Sequence, residues 1–139
     1  MGSGISVRTL LVDGSNVLYW RGAGPDMETV RLVTDALRMR GHVPLVLFDH
    51  SVGRIRGDRA LHDALDLRAD AVRVMPRGTP ADGALLAHAD AEGLQIVSRD
   101  RFRVWASEVP NLRRNWLVTG RIEKGGRVSL SKKLRRPPV

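Results

Sequence analysis

The chain has 139 residues, 42% of them hydrophobic, and a mean hydropathy of −0.19, which is enough for one folded domain with a buried core. No apolar run approaches the roughly 20 residues that span a bilayer, and no hydrophobic signal segment follows the N-terminus, so we expect neither membrane insertion nor export. The sequence lacks cysteine, which excludes disulfides and thiolate zinc sites and suits a cytoplasmic protein.

The net charge is +8 and the pI is about 11.3. All but three of the 23 basic residues are arginine, whose guanidinium binds phosphate in a bidentate manner. This charge predicts a polyanionic partner, nucleic acid before others. The alternative is a compositional bias towards arginine with solvated charges.

The first half of the chain alternates strand and helix patterns. A strand is predicted at 7–12, and it ends in Asp13. Asp26 is a suitable N-cap for a helix at 27–40, and Gly41 is a suitable residue to end it. A wholly apolar strand at 43–48 ends in Asp49, as expected for a strand covered on both faces.

The second half continues the alternation. Thr79, Pro80 and Asp82 resemble a capping box at the start of a helix that runs to Glu92. The other elements predicted are a basic loop at 51–57, a helix at 58–68, strands at 71–75, 94–97 and 116–119, a short helix at 102–107, and a hairpin turn at 123–127 leading into 128–130.

The alternation predicts an α/β domain of three layers, α/β/α and Rossmann-like, with a mostly parallel central sheet. The domain is expected to span residues 1–130. Residues 131–139 are basic and end in Pro-Pro-Val, so they are expected to form a flexible tail.

Acids follow three of the predicted strands, at Asp13, Asp49 and Asp100, and Asp82 lies in the first turn of a helix. Because the carboxyl ends of parallel strands share one edge, these side chains are expected to meet there. Oxygen ligands without His or Cys favour Mg²⁺ or Mn²⁺ over zinc. Taken singly, each acid has a plainer interpretation as a turn, a helix cap or a solvated loop residue.

Other polar side chains lie beside these acids. The Asn16 amide would orient a water or a phosphate, or would only hold the turn. Ser15 and Ser98 are placed to donate hydrogen bonds to the carboxylates, and both are also expected to contact RNA. Trp20, with Tyr19 beside it, would stack an unpaired base or would cover the core above the first helix. The arginines expected to hold an RNA backbone are Arg21, Arg54, Arg56, Arg99, Arg101 and Arg103.

Four segments together resemble the NYN branch of the PIN-like nucleases. They are Val12-Asp13-Gly14-Ser15-Asn16-Val17, Phe48-Asp49, Thr79-Pro80-Ala81-Asp82 and Val97-Ser98-Arg99-Asp100. The first is most similar to Regnase-type ribonucleases, and Asp49 is similar to the strand-end acid of bacterial NYN proteins and flap endonucleases. The resemblance covers residues 7–118 and implies a PIN-like α/β/α fold that cuts RNA with acid-bound Mg²⁺ or Mn²⁺.

The resemblance also implies roles for single residues. The catalytic residues would be Asp13, Asn16, Asp82 and Asp100. Asp13, Asp82 and Asp100 would hold the metal, Asn16 would support the site, and Asp49 would be a supporting or alternative ligand. The sequence departs from the Regnase pattern where Ala81 and Val104 replace acids, and it lacks the zinc finger of that family.

The leading hypothesis is therefore a metal-dependent endoribonuclease that acts on single-stranded or structured RNA, with a homodimer as a further expectation of the family. The alternative from another class is a non-catalytic RNA-binding module of PIN-like fold whose metal site has degraded at Ala81 and Val104. A haloacid dehalogenase phosphatase ranks low because Ser15 stands where that family has a second Asp. A P-loop is disfavoured because its motif does not occur.

Overall fold

The computed structural model describes residues 7–54, 60–103, 109, 112 and 115–137, with the side chain of Arg54 left out. Within these ranges, no helix has the length and apolar character that crossing a membrane would need. The helices are α1 Gly14–Val17, α2 Met27–Met39, α3 Leu61–Ala64 and α4 Ala81–Glu92. The strands are β1 Thr9–Asp13, β2 Val43–Phe48, β3 Val72–Val74, β4 Ile96–Val97, β5 Leu117–Val118, β6 Gly120–Ile122 and β7 Val128–Leu130.

Five strands form one parallel sheet in the order β3-β2-β1-β4-β5. Strand β1 lies in the middle, and all five of its residues are buried. Strands β6 and β7 form a separate antiparallel pair. The predicted α/β fold with a mostly parallel central sheet is confirmed.

Two apolar clusters cover the two faces of the sheet because side chains alternate along each strand. Leu10 and Val12 of β1 point into one cluster, and Leu11 points into the other. The first cluster includes Val30, Val33 and Leu37 of α2, and the second includes Leu85, Leu86 and Ala89 of α4. Each fully buried Leu or Val of this kind contributes about 1.5–3 kcal/mol, so the layers are held mainly by these contacts.

Helix α2 begins and ends as the sequence predicts. The Asp26 side chain accepts a 3.0 Å hydrogen bond from the backbone N–H of Glu28, and its other oxygen accepts one from the Thr29 hydroxyl. Gly41 follows the helix with a φ of +91°, a conformation that glycine adopts without strain.

The start of α4 differs from the prediction. The helix begins at Ala81 with Pro80 at the N-cap position, where no side chain caps it. Thr79 instead lies in a turn, where its N–H donates to the Pro76 carbonyl. The predicted capping box is wrong because an acid from another strand, Asp49, accepts the Ala81 N–H.

Two further helices differ from the prediction, the first because it was not predicted and the second because it is shorter. Helix α1 directly follows Asp13, at a place where no helix was predicted. Helix α3 is a single turn at Leu61–Ala64, whereas a helix was predicted over 58–68. The helix predicted at 102–107 falls mostly on residues outside the described part of the chain.

The end of the described chain packs against the domain. The Gln95 side chain is buried; it donates to the Lys133 carbonyl at 2.7 Å and accepts from the Arg135 backbone N–H at 2.9 Å. Leu134 packs on the cluster that contains α2. Residues up to 137 thus have contacts of their own where the sequence predicted a flexible tail, and the domain boundary at 130 stays a prediction.

Candidate active site

The candidate site lies at the carboxyl edge of the sheet, where the order of the strands reverses. From β1 the chain continues to β2 and β3 on one side, whereas β4 and β5 lie on the other. Ligands of open α/β sheets bind in the crevice at such a reversal. Asp13 ends β1 and Ser98 directly follows β4, so both walls of the crevice carry polar groups.

Asp13 forms the floor of the site, with only 3% of its surface exposed. Its Oδ2 accepts a 2.8 Å hydrogen bond from Ser98 Oγ, and its Oδ1 accepts a 3.3 Å hydrogen bond from the Asn16 backbone N–H. Burial raises the pKa of Asp13 from 3.8 to about 7, with smaller contributions from the charges of Asp82 and Asp100 and against the two hydrogen bonds. A cation at this carboxyl would favour its charged form.

Asp100 is held beside Asp13 by the same serine. Ser98 Oγ accepts from the Asp100 backbone N–H at 3.0 Å while it donates to Asp13. Asp100 Oδ1 in turn accepts from the Phe102 backbone N–H at 2.8 Å. Phe102 is buried against Trp116 with the ring centroids 5.7 Å apart. The turn that carries Asp100 is therefore fixed at both ends.

Asp49 caps a helix as well as facing the site. Its Oδ1 accepts a 2.8 Å hydrogen bond from the Ala81 backbone N–H at the start of α4. A negative charge there is stabilised by the helix dipole. The Asp49 backbone N–H donates to Ser15 Oγ at 2.8 Å, which ties the end of β2 to the turn after β1. Ser15 therefore contacts the Asp49 backbone, where the sequence predicted a contact with a carboxylate or with RNA.

Asp82 completes the group from the first turn of α4. Burial is the largest cause that raises the pKa of Asp82, and the charges of Asp100 and Asp49 raise it further. The four acids are thus close enough to affect one another electrostatically, and we call Asp13, Asp49, Asp82 and Asp100 the acid ring. The structure brings together all four acids that the sequence singled out.

The acid ring has the chemistry of a site for a hard divalent cation. Its donors are carboxylate oxygens, the type that Mg²⁺ and Mn²⁺ prefer. None of the four acids forms an ion pair with a described Lys or Arg, so their charges are not neutralised by the described residues. In the described ranges, no three His, Asp or Glu side chains converge closely enough to hold a metal ion as they stand. The residues fit the cation by chemistry, and their roles as ligands stay a prediction.

Two comparisons with known proteins establish the family and the fold of the chain. The sequence profile of the Zc3h12a-like ribonuclease NYN domain matches residues 6–122. The chain belongs to this family. The predicted NYN branch of the PIN-like nucleases is thereby confirmed, and membership supports a nuclease that acts on RNA. No curated protein matches the sequence.

The NYN domain is also similar in fold to a solved structure, nuclear proteinaceous RNase P 2 (PRORP2) from A. thaliana. The TM-score is 0.70 at 16% sequence identity, and the match covers 94% of this chain. It covers 30% of the PRORP2 chain, so the NYN domain spans less than a third of that protein. At this identity the likeness shows the fold alone.

Asn16 has a structural place in this NYN domain. Its Oδ1 accepts two hydrogen bonds of 2.8 Å, one from Trp20 Nε1 and one from the Arg99 backbone N–H. This oxygen is thus used within the protein, which fits the alternative that Asn16 holds the turn. If Asn16 contributes to catalysis as predicted, it would do so by holding Trp20 and Arg99 in place.

The burial of Trp20 does not support its predicted role in stacking a base. The residue is only 5% exposed and belongs to the core cluster that contains α2. The Arg99 guanidinium carbon lies 4.8 Å from the centroid of the Trp20 ring. The ring is therefore enclosed by protein, and the alternative of a cover over the core is the better description. Tyr19, 55% exposed, stays available at the surface.

The predicted RNA-binding arginines divide into three groups. Arg21, Arg101 and Arg103 are exposed, and Arg21 contacts only Asp26 at 3.8 Å among the described acids. Arg99 is also exposed, but its guanidinium donates to two backbone carbonyls of the protein. The Arg54 side chain and Arg56 lie outside the described part of the chain, so their roles stay predictions.

The role of Gly120 was not predicted from the sequence. Its carbonyl accepts a 2.8 Å hydrogen bond from Arg99 Nε, and a Cβ there would lie 2.5 Å from the Ser129 carbonyl oxygen and 3.1 Å from the Trp20 ring. A lone glycine at a strand often marks close approach of another segment, and that signal was present in the sequence. It indicates close packing of the β6–β7 hairpin against the site.

Of the two departures from the Regnase pattern, the structure describes the one at Ala81. Ala81 is fully buried at the start of α4, beside Asp49 Oδ1. The acid that the Regnase pattern has at this position is thus replaced by a small side chain, with the Asp49 carboxylate within hydrogen-bond distance of its backbone. Val104 lies outside the described residues.

Proposed function

We propose that this NYN domain is a Mg²⁺- or Mn²⁺-dependent endoribonuclease that hydrolyses RNA phosphodiester bonds at the acid ring. One observation carries the proposal: Asp13 is buried at the end of the central strand, with Asp82 and Asp100 close enough to raise its pKa. A buried carboxylate with other carboxylates nearby costs stability unless a cation neutralises it. Such a cost is expected where function requires the charge.

In this proposal Asp13, Asp82 and Asp100 hold the cation, and Asp49 supports them from the start of α4. When bound, the ion would supply Lewis acidity for the scissile phosphate and its attacking water. Ser98 keeps Asp13 oriented and favours its charged form through its hydrogen bond. Water attacks phosphorus in line, and the 3′ oxygen leaves and takes up a proton, so the products carry a 5′-phosphate and a 3′-hydroxyl.

The exposed arginines Arg21, Arg101 and Arg103 are proposed to hold the RNA backbone on either side of the acid ring. Exposed basic residues near the chain end, Lys132, Lys133 and Arg136, would add affinity that is blind to sequence and sensitive to salt. A homodimer and a cytoplasmic location are part of the same proposal; sedimentation and cell fractionation measure them.

The test is cleavage of an end-labelled RNA with Mg²⁺ and with Mn²⁺, followed by analysis of the product ends. Internal cuts with 5′-phosphate ends are expected with either ion, and EDTA should abolish them. Products with 2′,3′-cyclic phosphate would contradict hydrolysis by water. Binding of RNA without any cleavage would instead support the second candidate, a non-catalytic RNA-binding module, which Ala81 at a position acidic in Regnase-type enzymes favours.

A further inference from the structure

Arg99 makes more contacts within the protein than its position in a loop suggests. Its Nε donates to the Gly120 carbonyl at 2.8 Å, and one terminal nitrogen donates to the Trp20 carbonyl at 3.0 Å. Its guanidinium lies 4.8 Å from the centroid of the Trp20 ring, within cation–π range. Its backbone N–H donates to Asn16 Oδ1 at 2.8 Å. Arg99 therefore connects three segments, its own and two others: its side chain binds Gly120 and Trp20, and its backbone binds Asn16, which lies in the same segment as Trp20.

These three segments carry or border the acid ring. Asn16 and Trp20 lie in the turn after β1, which comprises α1 and residues 18–20. Arg99 lies between Ser98 and Asp100 in the turn after β4. Gly120 starts the β6–β7 hairpin, which has no room for a side chain there. Arg99 thus joins the turn after β1, the turn after β4 and the hairpin.

The Trp20 ring makes this junction rigid. Its Nε1 donates to Asn16 Oδ1 at 2.8 Å, the same oxygen that accepts the Arg99 backbone N–H. The ring is buried, so it cannot turn away without opening the core. Moving Arg99 towards a phosphate would break two hydrogen bonds to carbonyls and the cation–π contact.

We propose that Arg99 is a positioning residue that clamps the hairpin onto the two turns of the acid ring, and that it does not bind the RNA backbone. The clamp holds Ser98 and Asp100 in register with Asp13. The inference rests on the proposed function for its catalytic readout and on the contacts above for its structural one.

The kinetic test compares Arg99→Ala and Arg99→Lys with two other arginine substitutions. Arg38→Ala is the matched control, because Arg38 also donates to a backbone carbonyl, that of Asp66 at 2.9 Å, but lies outside the site. Arg101→Ala is the comparison for an exposed arginine proposed to bind RNA. Cleavage is measured well below the unfolding midpoint of every variant.

Arg99→Ala is expected to lower kcat by about tenfold or more, with KM changed less than about twofold, because positioning is lost while RNA contacts remain. Arg99→Lys should recover part of kcat, since the lysine ammonium keeps the cation–π contact and one hydrogen bond. Arg38→Ala should leave kcat unchanged. An Arg99→Ala enzyme with unchanged kcat and a raised KM would overturn the proposal.

Salt dependence separates the clamp from a phosphate contact. RNA binding is measured by fluorescence anisotropy in EDTA at several salt concentrations. Loss of one phosphate contact lowers the slope of log K against log salt by about 0.7–1. Arg101→Ala is expected to show this decrease and Arg99→Ala is not. The same decrease in Arg99→Ala would identify Arg99 as an RNA contact.

A third readout needs no activity. The indole N–H of Trp20, assigned with Trp20→Phe, should exchange slowly with solvent in the wild type and in Arg38→Ala, and faster in Arg99→Ala. Unchanged exchange in Arg99→Ala would contradict the clamp. If the wild type cuts no RNA, the proposed function fails, whereas the clamp is still decided by the salt slope and the indole exchange.

Discussion

Ser98 Oγ donates a 2.8 Å hydrogen bond to Asp13 Oδ2, joining residues 85 positions apart in the sequence. The same hydroxyl accepts the Asp100 N–H at 3.0 Å, so one side chain fixes two acids from different strands. Both bonds lie at the reversal of strand order between β1 and β4. Ser98 is itself fully buried, so its hydrogen bond to Asp13 is shielded from solvent.

Replacing Ser98 with alanine should move the pH profile of cleavage. The Ser98 hydrogen bond lowers the pKa of Asp13, in opposition to burial. Without it, Asp13 becomes a carboxylate only at higher pH. If Asp13 must be charged to act, the acid limb of kcat/KM should move to higher pH by roughly one unit. This size follows from the free energy of a hydrogen bond to a charged group, converted to pKa units. Rates from pH 5.5 to 9 at fixed Mn²⁺ measure it.

The control for this profile is Ser51→Ala, made at an exposed position, which should leave the acid limb in place. An acid limb that stays put in Ser98→Ala as well would mean that Asp13 ionisation does not govern the rate.

Asp13 should make the metal-free protein less stable as the pH rises. Its folded pKa of about 7 is above the unfolded 3.8, so its contribution to stability is full below pH 3.8 and is lost as the pH rises through 7. At 1.36 kcal/mol per pKa unit, the loss has an upper bound of about 4 kcal/mol. Asp13→Asn cannot ionise and should therefore flatten the decrease in the free energy of unfolding between pH 5.5 and 8.5.

Urea unfolding in EDTA at the two pH values measures this difference. Asp90→Asn, at an exposed position of α4, controls for the loss of one charge. If the free energy of unfolding changes with pH equally in the wild type and in Asp13→Asn, the raised pKa of Asp13 is contradicted.

Substitutions at Asp49 should separate helix capping from charge. Asp49 Oδ1 accepts the Ala81 N–H at the start of α4. Asparagine keeps an acceptor oxygen, whereas alanine removes it and should cost about 1 kcal/mol of stability, as for other lost caps. Both variants remove the carboxylate and should weaken Mn²⁺ binding to a similar extent. Thermal unfolding and Mn²⁺ titration measure the two effects, and equal stability of the two variants would argue against the cap.

Gly14 should tolerate no side chain. A Cβ there would lie 2.6 Å from Cε1 of Phe48, a buried ring that ends β2. Gly14→Ala should therefore lower the free energy of unfolding by about 1–3 kcal/mol, as overpacking does. The matched control is Gly53→Ala, because a Cβ at Gly53 meets nothing within 4 Å and its φ is not positive. Equal urea midpoints for the two variants would contradict the close packing.

The strands and the acids were predictable because their signals are local. An apolar run that stops at an acid marks both the strand and the edge where the acid lies, as at Asp13 and Asp49. Helix α2 carried its own N-cap at Asp26 and its own end at Gly41. Parallel pairing then brings the strand ends together by topology alone.

The contacts that hold the site were not predictable from local pattern. The N–H of Ala81 is capped by Asp49, 32 residues away, so Thr79 was wrongly given that role. Trp20 and Arg99 were predicted to bind RNA, and in the structure Arg99 donates to the Trp20 carbonyl and lies over the Trp20 ring, 79 residues away in the sequence. Such pairs depend on how β4 and the hairpin pack, which no periodicity in the sequence records.

The most direct test of the acid ring is Mn²⁺-dependent cleavage of a labelled single-stranded RNA by the wild type, by Asp13→Asn and by the wild type in EDTA. RNA binding by all three is measured in parallel by anisotropy. Cleavage by the wild type alone, with binding retained in Asp13→Asn, is the predicted result. Equal cleavage by a purified Asp13→Asn protein would contradict the acid ring as the nuclease site.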